Sequence, residues 1–144
     1  KFISKIELGK GIPSISYNLR RGGSALIDRK NRSQAIKEII KLGRAIEENN
    51  YSACIFPEGT RAKDGKVKPF KVGGIGTLLK TAPSAVVVPF VIDGNYLIQG
   101  TGFPMGVGIK ATYTVLDPIE RAGMTPEEIT EICEQAIKKA LGQR

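Results

Sequence analysis

The chain has 144 residues, 41% hydrophobic and 25% charged, a composition typical of one globular domain rather than of a disordered segment. It has no histidine and no cysteine pair at ligand spacing, so we expect no structural zinc site. The longest apolar run, Ala85–Ile92, is far shorter than the ~20 residues of a membrane-spanning helix. We therefore expect a single domain over residues 1–144, with Cys54 and Cys133 as buried thiols in a reducing compartment.

The positive charge is unevenly distributed. Residues 1–44 contain 11 bases and 3 acids, residues 61–80 contain 6 and 1, and residues 81–144 contain 5 and 7. Such a field favours phosphorylated ligands, other polyanions or an anionic membrane surface. We expect no nucleic-acid partner, because aromatic residues make up 6% of the chain and only Phe70 lies among the basic runs.

The first half of the chain alternates short strands with helices. Ser33 is predicted to cap a helix running to about Asn49, whose isoleucines follow the helical period. A helical turn or short helix is predicted at Pro13–Arg21, stopped by Gly22 and Gly23. Strands are predicted at Phe2–Leu8, Ala25–Asp28 and Tyr51–Phe56.

In the second half, a polar loop over residues 57–70 precedes a predicted helix at Val72–Thr81. Its three glycines cost on the order of 0.8–1 kcal/mol each relative to alanine, which close approach to a strand or ligand would offset. The unbroken valine run predicts a buried central strand at Ala85–Ile92. Further predictions are a glycine-rich connection at Asp93–Gly108, a half-buried strand at Lys110–Leu116, and a capped helix from Thr125-Pro126-Glu127-Glu128 to about Leu141. The alternation predicts an α/β fold with a mixed, largely parallel sheet flanked by helices.

The most informative segment is Phe56–Arg61, with the sequence Phe-Pro-Glu-Gly-Thr-Arg. It follows a predicted strand, at the sheet edge where α/β proteins bind ligands. Glu58 and Arg61 could there hold a substrate that has both hydroxyl and phosphate groups; the alternative is a turn with Arg61 in a surface ion pair. Five bases lie within eleven residues from Arg61 onward: Arg61, Lys63, Lys66, Lys68 and Lys71. Their mutual repulsion favours a nearby anion, although a solvated lysine-rich loop remains the alternative.

Two other segments carry candidate residues. Gly23–Arg29 is a short strand ending in an Asp-Arg pair, and Arg29 suits bidentate phosphate recognition; a simple Asp28–Arg29 surface pair is the alternative. In Val86–Phe90, Pro89 removes a ladder donor and indicates a local break. The alternative there is ordinary core with an edge proline.

Together these segments resemble the glycerolipid acyltransferases, the group that contains 1-acylglycerol-3-phosphate acyltransferase. That family has four ordered blocks, and the last three correspond here to Gly23–Arg29, the unchanged Phe56–Arg61, and Val86–Phe90. The resemblance runs from about Lys1 to Phe90. The first block, His-x4-Asp, carries the family's catalytic base, and this chain has no histidine to supply it.

The resemblance implies a glycerol-3-phosphate acyltransferase-like domain, and the start without an initiator Met leads us to expect an N-terminally truncated piece. The resemblance implies no catalytic residue in this chain. Arg61 would bind the acceptor phosphate with help from Arg29, Glu58 would position the glycerol, Gly59 would allow close backbone approach, and Pro89 would shape the pocket near the thioester. The remaining implied substrate-binding positions are Thr60 and Lys63.

The implied reaction transfers an acyl group from acyl-CoA or acyl-carrier protein to a lysophospholipid such as 1-acylglycerol 3-phosphate, with no metal or prosthetic group. The resemblance also implies a membrane-associated protein at the cytoplasmic face, in contact with an anionic membrane surface. Loss of a general base removes about 10²–10⁴-fold in rate, so we expect this chain alone to be inactive. The alternative is a natural non-catalytic relative that binds lipid phosphate or a membrane surface.

Overall fold

The computed structural model describes residues 1–100 and 107–143. The chain divides into two compact units: Lys1–Pro57 with Val72–Ala85, and Glu58–Lys71 with Val86–Arg144. The single domain expected from length stays a prediction. Among the described residues, no helix combines the length and apolar composition needed to cross a bilayer.

The first unit contains a parallel strand pair. Strand β1 (Ile3–Lys5) lies beside β2 (Ala25–Ile27), with Ile3 opposite Ala25. A 3₁₀ helix at Ile6–Gly9 follows β1 directly, so the predicted strand Phe2–Leu8 is shorter than expected. The predicted strand Tyr51–Phe56 was wrong in extent, because only Cys54 pairs, in a single parallel bridge to Phe2. Helix α1 (Pro13–Arg21) confirms the predicted helical segment.

Helices α2 (Arg32–Asn49) and α3 (Val72–Thr81) complete the first unit. The predicted cap was wrong by two residues, because Asn31, not Ser33, accepts the Gln34 N–H, at 3.0 Å through its side chain. Leu42 and Ile46 of α2 form a core with Ala25 of β2 and with Ala82, which directly follows α3.

Glycines allow close packing in this unit. A Cβ on Gly43 of α2 would lie 1.8 Å from Thr81 Oγ1, and one on Gly74 of α3 would lie 2.8 Å from Ile55 Cδ1. The close approach expected for the glycines of α3 is therefore present at Gly74. At Gly73 it is not, since a Cβ there would meet nothing within 4 Å.

The second unit contains an antiparallel pair, β3 (Phe90–Asp93) and β4 (Thr112–Val115), with Phe90 opposite Val115. The prediction of a buried strand over Ala85–Ile92 was wrong: Val86 and Val88 are 68% and 42% exposed. The regular ladder begins after Pro89, which has no N–H to donate. The residues of β4 are all exposed, so its predicted half-burial was also wrong.

The described residues of the second unit include two helices. Helix α4 (Asn95–Gly100) occupies part of the predicted connection Asp93–Gly108, and residues 101–106 of that connection lie outside the described residues. Helix α5 (Pro126–Ala140) begins as predicted, with a capping box in which Thr125 Oγ1 accepts the Glu128 N–H at 3.2 Å and Glu128 Oε2 accepts the Thr125 N–H at 2.7 Å. The described residues contain one parallel and one antiparallel strand pair among helices, which confirms the predicted mixed α/β class.

The two thiols differ in burial. Cys133 on α5 is buried as predicted, whereas Cys54 is half-buried. Burial raises the pKa of both thiols above the ordinary cysteine value. Both groups therefore remain protonated thiols at neutral pH.

Candidate functional site

Five of the seven predicted substrate-binding residues lie in one loop of the second unit, Glu58–Lys71, which we call the acceptor loop. The half-buried Glu58 folds this loop back on itself, because its Oε2 accepts the backbone N–H of Lys68 at 3.1 Å. A side-chain oxygen thus satisfies a backbone donor that a regular strand or helix would otherwise pair.

Two features of this loop favour glycine at position 59. Its φ is +72°, in the left-handed region where a side chain costs roughly 1–2 kcal/mol. A Cβ at this position would also lie 3.1 Å from Lys71 Nζ. The ammonium of Lys71 therefore lies directly against the backbone of the Gly59 turn.

Lys68 brings a second ammonium to the same turn. Its Nζ donates to Thr60 Oγ1 at 3.2 Å and to the carbonyl oxygen of Arg61 at 2.9 Å. Both acceptors are neutral, so these contacts orient Lys68 without cancelling its charge. The side chain of Arg61 is exposed at the end of the turn. The acceptor loop therefore gathers three cationic residues around Gly59–Arg61.

The middle of the acceptor loop is a tight turn. Asp64 Oδ1 accepts the Lys66 N–H at 3.2 Å, and Gly65 has a φ of +74°. A Cβ on Gly65 would lie 2.5 Å from the ring of Tyr96, in α4. Lys63 is exposed beside this turn.

The two remaining candidates lie elsewhere. Pro89 is buried in the second unit, just before β3, and its carbonyl oxygen accepts the Leu116 N–H at 3.0 Å. Arg29 belongs to the first unit, where it is exposed in the turn after β2. In that turn the Asp28 carboxylate accepts the Lys30 N–H at 2.9 Å.

Two residues near the C-terminus contact the acceptor loop and were missed by sequence reasoning. Glu134 Oε2 on α5 accepts the Phe70 N–H at 2.7 Å. Gln143 accepts the Val67 N–H at 2.9 Å through Oε1 and donates to the Gly65 carbonyl at 2.8 Å through Nε2. Helical periodicity places Glu134 on α5, but no signal in the sequence shows which backbone amide it meets 64 positions away.

Glu134 is also part of an ion pair. Its Oε1 lies 2.7 Å from Lys138 Nζ, one helical turn later, and the two side chains are only 17% and 20% exposed. The hydrogen bond from Lys138, assisted by that from the Phe70 amide, lowers the pKa of Glu134 below the ordinary glutamate value. Glu134 is therefore a carboxylate at neutral pH. Among the described residues, no group of three Cys, Asp or Glu side chains is arranged to hold a metal ion.

Comparison with known proteins identifies the family. The family model described as "Acyltransferase" matches residues 1–93, which include all seven predicted substrate-binding positions. The chain belongs to the acyltransferase family. Glu134 and Gln143 lie outside the matched residues.

Relatives within this family share a common description. The chain is 46% identical over 71 residues to a 1-acyl-sn-glycerol-3-phosphate acyltransferase of Cocos nucifera, covering 49% of this chain and 22% of that protein. It is 33% identical over 105 residues to that of Limnanthes douglasii (73% and 37% covered) and 27% identical over 125 residues to that of Haemophilus influenzae (84% and 50%). The chain thus spans half or less of the length of these curated relatives.

A solved structure supports the same family at the level of the fold. The crystal structure of the 1-acyl-sn-glycerophosphate acyltransferase PlsC from Thermotoga maritima matches with a TM-score of 0.77 and 30% sequence identity. The match covers 98% of this chain and 55% of that one. The fold similarity therefore extends beyond residues 1–93 to nearly the whole of this chain.

Proposed function

We propose that this chain forms the acceptor-binding part of an O-acyltransferase. The acyl group passes from acyl-CoA or acyl-carrier protein to a lysophospholipid such as 1-acylglycerol 3-phosphate. The names of the relatives and of the solved structure support the acceptor class. Acyl-CoA and acyl-carrier protein are proposed as donors because each carries its acyl group as an activated thioester.

One observation carries the proposal: the ammonium groups of Lys68 and Lys71 converge on the turn that Arg61 closes. Lys71 lies against Gly59, and Lys68 is oriented by the Thr60 hydroxyl and the Arg61 carbonyl. An anion with several oxygens, such as a phosphate monoester, matches a cluster of cationic donors beside exposed backbone. Mutual repulsion of the cations is relieved when such an anion binds.

Each predicted residue of the second unit has a role in this proposal. Arg61 binds the acceptor phosphate, and the assisting role expected of Arg29 stays a prediction from the sequence. Glu58 has one oxygen committed to the loop, and its other oxygen, Oε1, positions a glycerol hydroxyl. Gly59 allows the acceptor to approach the backbone. Three further positions complete the substrate-binding set: Thr60, which orients Lys68; Lys63, which attracts the anionic substrate; and Pro89, which shapes the pocket near the thioester.

The reaction itself needs a base that these residues do not supply. The acceptor hydroxyl oxygen forms a new ester bond to the acyl carbon, the C–S bond breaks, and the hydroxyl proton ends on the released thiol. In this proposal a histidine takes that proton first, and the chain contains no histidine. No metal or prosthetic group is required. We therefore expect no measurable acyl transfer from acyl-CoA by the purified chain, and clear turnover would refute this assignment of the base.

The acceptor is a lipid, so we propose a membrane-associated protein working at the cytoplasmic face. The net charge of +8 supports attraction to anionic headgroups. Co-sedimentation with vesicles containing phosphatidylglycerol, compared with pure phosphatidylcholine vesicles, tests this. Equal binding to both, or to neither, would contradict an anionic membrane partner.

The acceptor role is tested by titrating the chain with sn-glycerol 3-phosphate and, separately, with uncharged glycerol. We expect binding of the phosphate ester only, and a loss of about tenfold or more in affinity for Arg61→Ala, since a charge-assisted hydrogen bond contributes about 1.5–3 kcal/mol. Lys80→Ala, an exposed lysine of the first unit, is the matched control and should bind like the unmodified chain. Equal affinities for Arg61→Ala and the control would remove Arg61 from the site.

A further inference from the structure

The acceptor loop is held by its backbone amides to the C-terminal part of the second unit. The Phe70 N–H donates to Glu134 Oε2 at 2.7 Å, and the Val67 N–H donates to Gln143 Oε1 at 2.9 Å. Gln143 Nε2 adds a bond to the Gly65 carbonyl at 2.8 Å. These are side-chain contacts to a loop backbone across more than sixty positions of sequence, so they exist only in the folded unit.

The two anchored amides have a particular place in the loop. Val67 directly precedes Lys68, and Phe70 directly precedes Lys71. These are the two lysines whose ammonium groups reach the Gly59–Arg61 turn. Each anchor therefore limits the backbone from which one of these two lysines extends.

We propose that Glu134 and Gln143 are positioning residues for the acceptor site: they fix the backbone at Phe70 and Val67 so that Lys71 and Lys68 stay at the Gly59–Arg61 turn. The inference rests on the proposed function, because it concerns how the acceptor phosphate is bound. Neither residue touches the acceptor. Both lie outside residues 1–93, where the family model matches.

Lys138 makes the anchor at Glu134 more specific. It pairs with Oε1 at 2.7 Å, which leaves Oε2 directed at the Phe70 amide. A carboxylate held at both oxygens has little rotational freedom, and a charged acceptor makes a stronger hydrogen bond to the amide than a neutral one. Lys138 thus holds the Glu134 carboxylate, and this carboxylate holds the Phe70 amide. The peptide bond between Phe70 and Lys71 passes the restraint on to Lys71.

A purely structural role predicts something different from a positioning role. If Glu134 only stabilises the second unit, its loss lowers the unfolding midpoint but leaves the affinity of the folded chain for phosphate unchanged. If it positions the loop, the affinity falls while the chain is still fully folded. Glu134→Gln keeps an oxygen for the Phe70 amide, so a positioning role also predicts partial rescue by this variant.

The experiment measures sn-glycerol 3-phosphate affinity and the amide NMR signals of Phe70 and Val67 in the purified chain. We expect Glu134→Ala to weaken binding by about tenfold and Gln143→Ala by about threefold, the range expected for one lost charged and one lost neutral hydrogen bond. Glu134→Gln should bind between Glu134→Ala and the unmodified chain. Glu131→Ala, an exposed glutamate on the same helix, is the control and should change nothing.

The outcomes separate the inference from the function on which it rests. If the unmodified chain binds no sn-glycerol 3-phosphate, the proposed acceptor site is wrong, and the positioning role falls with it. If the unmodified chain binds but Glu134→Ala and Gln143→Ala bind equally well, only the positioning role is overturned. Should Glu134→Ala fail to fold, Glu134→Gln and Gln143→Ala decide the matter, since unchanged affinity in both overturns the inference.

Discussion

The Gly59 turn offers a direct test of how the acceptor loop places Lys71. Replacing Gly59 by Ala adds a Cβ at a φ of +72°, 3.1 Å from Lys71 Nζ. The backbone conformation alone costs roughly 1–2 kcal/mol of stability. The lysine is flexible and can retreat cheaply, but its ammonium then leaves the turn. The substitution therefore affects both the free energy of unfolding and the position of a cation.

The two effects can be separated in magnitude. If Nζ retreats by about 0.5 Å from a phosphate oxygen at about 3 Å, the attraction at an effective dielectric constant near 20 falls by about 0.8 kcal/mol, which is about fourfold in Kd. Gly123→Ala is the matched control, because Gly123 has a φ of +74° in the same unit and a Cβ there meets nothing within 4 Å. Both variants should lose similar stability in urea unfolding.

Only Gly59→Ala should also lose affinity, measured by isothermal titration with sn-glycerol 3-phosphate. Equal affinity of Gly59→Ala and Gly123→Ala would refute the reasoning, because the contact between Gly59 and Lys71 would then have no part in binding. A much larger stability loss in Gly59→Ala than in Gly123→Ala would show that Lys71 does not move aside cheaply.

Three further predictions concern packing, capping and pH. Gly43→Ala should destabilise the chain by about 1–3 kcal/mol in urea unfolding, since the new Cβ would lie 1.8 Å from Thr81 Oγ1 and 2.7 Å from its Cβ. The loss caused by Gly43→Ala should be smaller in a Thr81→Gly chain, measured against Thr81→Gly alone, and an equal loss would contradict the clash. Thr125→Ala removes the hydroxyl that accepts the Glu128 N–H in the capping box of α5 and should cost about 1 kcal/mol of unfolding free energy, whereas an unchanged value would show that this hydroxyl contributes nothing. The Lys138 hydrogen bond lowers the pKa of Glu134, so the Glu134 carboxylate stabilises the fold above the ordinary glutamate pKa and loses that contribution as the pH falls through the lowered pKa. The difference in unfolding midpoint between Glu134→Gln and the unmodified chain should therefore become smaller from about pH 7 to about pH 3. A constant difference would contradict a stabilising role of the carboxylate.

The helices were the most predictable part of the fold, because their signals are local. The Thr125–Glu128 capping box and the periodic isoleucines of α2 depend on residues within a few positions of each other, and both helices form where predicted. The predicted Ser33 cap of α2 was wrong because Asn31, two residues earlier, is an equally good capping residue.

The strands were less predictable, because pairing depends on distant partners. Residues 51–56 have strand-forming composition, yet only Cys54 finds a partner in Phe2. The valine run before Pro89 predicts burial on both faces, but Val86 and Val88 are exposed. An apolar run alone does not distinguish a strand covered on two faces from one covered on one face.

The site was predictable to the extent that it is local. Residues Glu58–Arg61 and the lysines after them form one loop, as their adjacency indicates, and this loop contains most of the predicted residues, whereas Phe56 and Pro57 belong to the first unit. Its anchors could not be predicted, because Glu134 and Gln143 are two of many polar residues and only the folded unit selects their partners.

Within the acceptor loop, the contacts of Lys68 explain how an acid and a base remain close without neutralising each other. Glu58 accepts the backbone N–H of Lys68, whereas the ammonium of Lys68 turns to Thr60 Oγ1 and the carbonyl of Arg61. Had the carboxylate paired with the ammonium, the loop would gain an ion pair and lose a cation for its ligand. Instead Glu58 closes the loop through the main chain, and the positive charge of Lys68 is directed by neutral oxygens. The carboxylate of Glu58 therefore does not offset the charge of the Lys68 ammonium, which fits a loop that binds an anion.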